Sequence, residues 1–268
     1  MKQLFTKYQG AGNDFLLIDD RKEHFPFFQI SFVQRLCSRN YGVGADGIIL
    51  LQNSYAADFR MRIFNSDGTE AQSCGNGLRC FVQFLAKLKL LNGKKQIETL
   101  GGIVTGWVEE DKTYIALDYS LPPVQKLNLS LEKDFYFSYF VNSGVPHLIH
   151  FVKDLERFPL LKIGKGLRSH PLLGKEGANV NFVEQRGESL YVRTFERGVE
   201  GETLACGTGA IAAAWTVKKV LNKKNPILLH FPGGTLEVEI GKKVVMTGPT
   251  EEVFEGSYFS NVISTINH

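Results

Sequence analysis

The sequence predicts an α/β (α+β) protein of two pseudo-symmetric domains, each a strand-rich, barrel-like shell around a central helix, with an active site in the cleft between them. Three observations carry that reading. At 268 residues the chain can build two cores. One cysteine motif is written twice, as "EAQSCGNGL" at 70–78 and "ETLACGTGA" at 202–210, which sets Cys74 and Cys206 132 residues apart. Each cysteine has a glutamate four places before it and glycines one and three places after it. Strand-and-turn patterns recur at the same offset, and such internal repetition constrains the fold before local propensity does.

From the N-terminus, "GNDFLLI" starting at Gly12 is a glycine turn entering an apolar strand, and "GVPHLIH" starting at Gly144 repeats it. "FQISFVQRLCSRN", residues 28–40, is expected as a helix outside the first shell, with Cys37 a core thiol. "GVGADG" at 42–47 satisfies G-x-G-x-x-G, but a dinucleotide fingerprint follows a strand and opens a helix. Here the helix precedes and the strand "IILLQ" follows, which argues against such a site. "DFRMRIFN", ending at Asn65, falls on "LYVRTFER", ending at Arg197. "IETLGGIVTGWV" falls on "LHFPGGTLEVEI".

A helix follows each cysteine. In "GNGLRCFVQFLAKLKLL" the residues Leu78, Phe81, Val82, Leu85 and Leu88 have helical spacing, while "GTGAIAAAWTVKKVL" is apolar on most faces and belongs inside the protein. Cys80 is about 240° further round its helix than Cys74, so it packs elsewhere. "SLPPVQKLNLS", residues 120–130, has turn-forming prolines and is placed as the linker. The domains are thus expected at 1–121 and 130–255.

Composition excludes several functions. The net charge of +3 comes without a basic stripe, and Lys218, Lys219, Lys223 and Lys224 suit a solvated helix end, so no nucleic-acid partner is expected. No apolar run approaches membrane-spanning length and the N-terminus has no apolar leader core, so a cytoplasmic protein without a membrane partner is expected. Cys37, Cys74, Cys80 and Cys206 are too unevenly spaced for a disulfide framework and lack the Cys-x-x-Cys or histidine spacing of a zinc site. No metal is expected.

The first N–H groups of a helix have no partner within it and carry partial positive charge, so each motif is an anion cradle that favours thiolate over thiol. Two bases on opposite sides of one carbon suit inversion of a stereocentre. One thiolate takes the α-proton from one face, and the opposing thiol delivers a proton to the other. A helix terminus supplies about 0.3 to 2 kcal/mol, too little to acidify an α-proton alone. Each well-aimed oxyanion donor adds about 2.7 to 4 kcal/mol, so several N–H groups are needed.

With these residues in view, the sequence resembles the diaminopimelate epimerase family over essentially its whole length, through "GAGNDFLLID", "FNSDGTEAQSCGNGLRC" and "FERGVEGETLACGTGA". Proline racemases share the two-cysteine plan but carry a histidine where this chain has Asn76. The resemblance implies cofactor-independent conversion of LL- to meso-2,6-diaminopimelate, on the bacterial route to lysine and peptidoglycan, by a homodimer. It implies that Cys74 and Cys206 are the acid/base pair and that Gly75, Asn76, Gly207 and Thr208 hold the reacting carboxylate. Asn13, Asn65, Asn179, Glu196 and Arg197 match positions that hold the amino groups and distal carboxylate, and His147 matches a histidine near the active site. Arg197 offers the guanidinium fork that a carboxylate requires. The C-terminal strand, within 256–268, is expected to return to the first domain.

Two residues depart from the family pattern. Val145 replaces the asparagine of a "GNPH" motif and Gly47 stands where some members have glutamine. Polar contacts to the distal half of the substrate are therefore expected to be missing, with glutamate a further substrate. A broader amino-acid racemase on the same scaffold, and a thiol redox or binding protein, remain as alternatives.

Overall fold

The computed structural model describes residues 2–118, 120–131 and 133–259. The chain forms two units, one over Met1–Ala116 and resuming at Pro249, the other over Leu117–Gly248. It is mixed α/β and rich in strands.

The first unit contains β1 (Lys2–Gly10), β2 (Asn13–Asp19), α1 (Ile30–Cys37), β3 (Gly47–Gln52) and β4 (Phe59–Asn65). It continues with β5 (Glu70–Ala71), α2 (Gly75–Lys87), β6 (Lys95–Thr99), β7 (Gly102–Glu109) and β8 (Lys112–Leu117). The second unit repeats the plan with β9 (Gln125–Leu131), β10 (Asp134–Asn142), β11 (Pro146–Phe151), α3 (Leu160–Arg168), β12 (Asn179–Arg186) and β13 (Ser189–Glu196). Then come β14 (Gly201–Thr203), α4 (Gly207–Val220), β15 (Ile227–Phe231), β16 (Gly234–Ile240) and β17 (Val244–Thr247). The last strand, β18 (Glu251–Phe259), lies in the first unit against β1.

Strand pairing repeats along with the sequence. In the first unit β18, β1 and β2 are antiparallel neighbours, β2 runs parallel to β3, β3 antiparallel to β4, β4 parallel to β6, and β6 antiparallel to β7. The second unit follows the same order with β9, β10, β11, β12, β13, β15 and β16. Parallel neighbours need a crossover, and each of the four crossovers contains one of the helices. Thus α1 links β2 to β3, and α2 lies between β4 and β6. The strand following each repeat joins the other unit, since β9 follows β8 yet pairs with β10, and β18 follows β17 yet pairs with β1.

Burial explains the division of labour among the helices. α2 packs against β1, β2, β3, β4 and β7, and Leu78, Phe81, Val82 and Leu85 are buried there. α4 packs against β10, β11, β12, β15 and β16, and its small residues Ala210, Ala212, Ala213 and Ala214 let the strands approach it on most sides. α1 buries one face, Phe32, Val33, Leu36 and Cys37, against Leu16, Ile18, Ile48 and Leu50. Covered by α1 and α2, β3 is buried throughout, as parallel strands between helices are.

The counterpart of α1 in the second unit is α3, which the sequence reading did not anticipate because "LLKIGKGLR" contains two poor helix formers, Gly164 and Gly166. Both glycines permit close packing. A Cβ at Gly164 would stand 2.7 Å from Phe195 Cβ, and one at Gly166 2.6 Å from Leu131 Cδ1.

The expected linker is also shorter than 120–130. β9 begins at Gln125 and pairs with β10, because Leu127, Leu129 and Leu131 alternate onto the core face behind the prolines. The second unit accordingly starts at Leu117 rather than 130, and the return strand starts at Glu251 rather than 256. Residues 260–268 of that expected strand lie outside the described residues.

Candidate active site

Cys74 is the N-cap residue of α2 and Cys206 the N-cap residue of α4. Each sulphur accepts a hydrogen bond from the backbone N–H three residues on, Gly77 and Gly209, both at 3.4 Å. Serine, threonine or aspartate oxygen ordinarily does this, and a donor aimed at sulphur favours its anion. The third-place glycines serve packing under the helix start. A Cβ at Gly77 would lie 2.9 Å from Ile49 Cδ1, and one at Gly209 only 2.4 Å from Asn181 Oδ1.

In the first unit the ends of β2, β3 and β4 meet the start of α2. Asn13 opens β2, and its Oδ1 accepts from the Cys74 thiol at 3.7 Å while its Nδ2 donates to Asp46 at 2.7 Å. Asp46 in turn pairs with Arg39, which also holds Asp14, itself paired with Lys7. Asn65 closes β4, opposite Gly47, with its Nδ2 on Thr69 Oγ1 at 3.1 Å. Asn76 is 3% exposed, and its Oδ1 accepts from Arg79 Nη2 at 2.9 Å. Arg79, wholly buried, also donates to the carbonyl of Gly75 at 3.2 Å. Burial pulls its guanidinium down to about 10, opposed by the neighbouring Cys80 and Cys74.

The second unit presents a different polar set at the corresponding strand ends. His147 on β11 and Asn179 on β12 are register partners, and Asn179 Oδ1 accepts the backbone N–H of Arg197 at 2.8 Å. The Arg197 guanidinium donates to the Glu176 carboxylate at 2.9 Å. Burial raises the pKa of Glu196, which accepts from Thr203 at 2.8 Å. His147 is fully buried, and its Nε2 lies 3.0 Å from Thr208 Oγ1, which lies 3.6 Å from Cys206 Sγ. Burial first, and then Arg197, push the imidazole down to about 3, so it is neutral in the physiological range.

Among the named candidates, the structure therefore joins Asn13 to Cys74, Asn179 to Arg197, and His147 through Thr208 to Cys206. Gly75 and Gly207 are the first residues of their helices. Val145 is half-buried, directly before β11. Gly47 is more than a missing polar contact, because a Cβ there would stand 2.5 Å from the carbonyl oxygen of Phe64 and would force β3 and β4 apart.

Arg79 and Asn181 were missed. The signal for both was the repeat itself, since Arg79 aligns with Ile211 and Asn181 with Ile49, polar against apolar at positions inside a core. Cys37 and Cys80 are packing thiols, each pushed by burial up to about 12. Among the described residues none of the four cysteines is in a disulfide, and no cluster of three or more His, Cys, Asp or Glu side chains could hold a metal ion. No helix of the described residues is long and apolar enough to cross a membrane.

The architecture belongs to a fold class that includes epimerases. A solved structure of a PhzF-family phenazine biosynthesis protein from Bacillus anthracis matches with a TM-score of 0.75 at 17% identity, covering 97% of this chain and 99% of that one. A hydroxyproline epimerase from Agrobacterium vitis matches with a TM-score of 0.68 at 14% identity, covering 96% and 92%. At such identities the likeness is one of fold.

Sequence likeness is closer and more particular. The family model described as diaminopimelate epimerase matches residues 5–123 and 139–253. A diaminopimelate epimerase from Aquifex aeolicus is 40% identical over 276 residues, 97% of this chain and 99% of that one. One from Flavobacterium psychrophilum is 38% identical over 257 residues, 93% and 97%. The chain belongs to the diaminopimelate epimerase family, a family of isomerases.

Proposed function

We propose that this enzyme inverts one α-carbon of LL-2,6-diaminopimelate to give the meso isomer, without a cofactor, in lysine and peptidoglycan precursor synthesis. The observation that carries the reading is that each of two repeat-related helices is capped by a cysteine sulphur that accepts the third-residue N–H.

In the reaction, one cysteine as thiolate removes the α-proton while the other, as thiol, delivers a proton to the opposite face. The electron pair of the broken C–H bond is delocalised into the α-carboxylate and returns to carbon as the new C–H bond forms. Backbone N–H groups at Gly75, Asn76, Gly207 and Thr208 supply the donors for the carboxylate, where charge develops. Asn13, Asn65, Asn179 and Glu196 bind the ammonium groups, and Arg197 forks onto the distal carboxylate. In that step Arg197 exchanges Glu176, an exposed partner, for substrate.

Proton NMR in D2O with LL-diaminopimelate tests this reading. The wild type is expected to lose the α-proton signal, and Cys74→Ser and Cys206→Ser each to slow that loss severely. A folded, reduced wild type that exchanges no α-proton overturns it.

A further inference from the structure

Thr208 has two neighbours whose roles decide where its hydroxyl proton points, His147 Nε2 at 3.0 Å and Cys206 Sγ at 3.6 Å. If the imidazole accepts, the threonine proton is spent on it. If the imidazole donates, that proton is available to sulphur. The neutral imidazole has one N–H, so its tautomer settles the matter.

Asn181 fixes that tautomer. Its Nδ2 lies 3.1 Å from the carbonyl oxygen of Leu148 and 3.0 Å from His147 Nδ1, and its Oδ1 accepts from Thr194 at 2.9 Å. A backbone carbonyl only accepts, so the amide nitrogen must face Leu148, and the same nitrogen then donates to Nδ1. The imidazole proton is consequently on Nε2 and is donated to Thr208 Oγ1. Thr208 is left with its own proton for the Cys206 sulphur, which already receives the Gly209 N–H.

This device exists in one half only. Ile49 stands at the position of Asn181 in the first unit, and the helix-start glycines meet the two residues in the same way. In return, the first unit buries Arg79 beside the Cys74 motif where the second has Ile211. One half uses a buried cation and the other a neutral chain of hydrogen bonds.

We propose that Asn181 is a positioning residue for Cys206, holding the His147 proton on Nε2 so that Thr208 donates to the sulphur and favours its thiolate. The catalytic meaning of this rests on the reading of Cys206 as an acid/base group.

Few charges compete. On β13, Glu196 is bound by Thr203 and Arg197 by Glu176. On β10 and β11, Tyr136 and Tyr139 pack on His150 and Phe151, and His150 also packs on Phe158 and Phe182. Glu184 on β12 is tied to Arg186. On β15 His230 packs on Tyr191, and on β16 the buried residues Leu236, Val238 and Ile240 alternate with Glu237 and Glu239.

The test is a titration of thiolate ultraviolet absorbance in the Cys74→Ser protein between about pH 5 and 9. Cys37 and Cys80, held at about 12, are silent there, so once the tyrosinate contribution common to all the variants is subtracted the thiolate signal belongs to Cys206. Asn181→Leu is expected to raise the midpoint by about one pH unit, a tenfold lower thiolate fraction below it. Thr208→Val is expected to raise it similarly, and the double variant to shift it no further than Thr208→Val alone. Should Asn181→Leu fail to fold, Asn181→Ser, too short to reach His147 and adding no bulk, carries the same expectation. An unmoved midpoint in a folded Asn181 variant, or fully additive shifts in the double variant, overturns the proposal. No substrate is present in the titration, so its failure is distinguishable from a failure to exchange the α-proton.

Discussion

Replacing glycine by alanine inside a helix ordinarily stabilises it by about 0.5 to 1 kcal/mol. Gly209→Ala is expected to do the reverse. The new Cβ would stand 2.4 Å from Asn181 Oδ1 and 3.2 Å from Cys206 Sγ. Asn181 is fully buried and held by His147, Leu148 and Thr194. Swinging it aside forfeits up to three hydrogen bonds at about 1 kcal/mol each. Holding it in place costs about 1 to 3 kcal/mol of overpacking. Subtracting the helix gain from a mid-range cost of about 2 kcal/mol leaves a net loss of about 1 to 1.5 kcal/mol. At Gly77 the tight contacts of the equivalent Cβ are with the methyl ends of Ile49 and Ile63, at 2.9 and 3.2 Å, and these can yield. Gly77→Ala should therefore stay within about 1 kcal/mol of the wild type. Urea unfolding followed by the combined fluorescence of Trp107, on β7, and Trp215, on α4, compares the variants. A Gly209→Ala protein as stable as the wild type, or less affected than Gly77→Ala, refutes the packing argument.

Other substitutions probe the remaining parts of the site. Arg79→Ile copies the second unit's Ile211 and removes a buried cation, so the pH midpoint for Cys74 alkylation should rise while that of Cys206 stays put, and α-proton exchange should slow about tenfold or more. An unchanged Cys74 midpoint counts against the charge reading. His147 is depressed from about 6.5 in the unfolded chain, so its buried neutral form contributes stability above that pH, which is lost as pH falls toward about 3. His147→Gln cannot take up that proton, and its unfolding free energy should fall less than the wild type's between about pH 7 and 4; parallel curves contradict this. Val145→Asn should raise the specificity for diaminopimelate over glutamate, and an unchanged ratio removes Val145 from distal recognition.

The repeat made most of the fold legible. One offset predicted both central helices and the strand pairs around them, because two copies of a core must bury the same positions. What escaped were elements whose local chemistry pointed elsewhere. α3 was hidden by Gly164 and Gly166, which close packing on Phe195 and Leu131 requires. The first residues of the second unit were hidden by the prolines ahead of β9. At the site, motif spacing singled out the two cysteines as candidates, and the family resemblance supplied the side chains at strand ends. Neither revealed Arg79 or Asn181, whose parts depend on what lies beneath the helix starts. Their only trace was a broken symmetry, an isoleucine in one half opposite a polar residue in the other.

The most direct test of the two-cysteine account follows where deuterium goes in the first turnovers of LL-diaminopimelate in D2O. With separate acid and base, the meso product carries deuterium at the inverted carbon while the remaining LL substrate keeps its proton. Product that retains the substrate's own proton at that carbon, or deuterium that enters LL substrate as fast as meso product forms, would mean a single base and contradict the account.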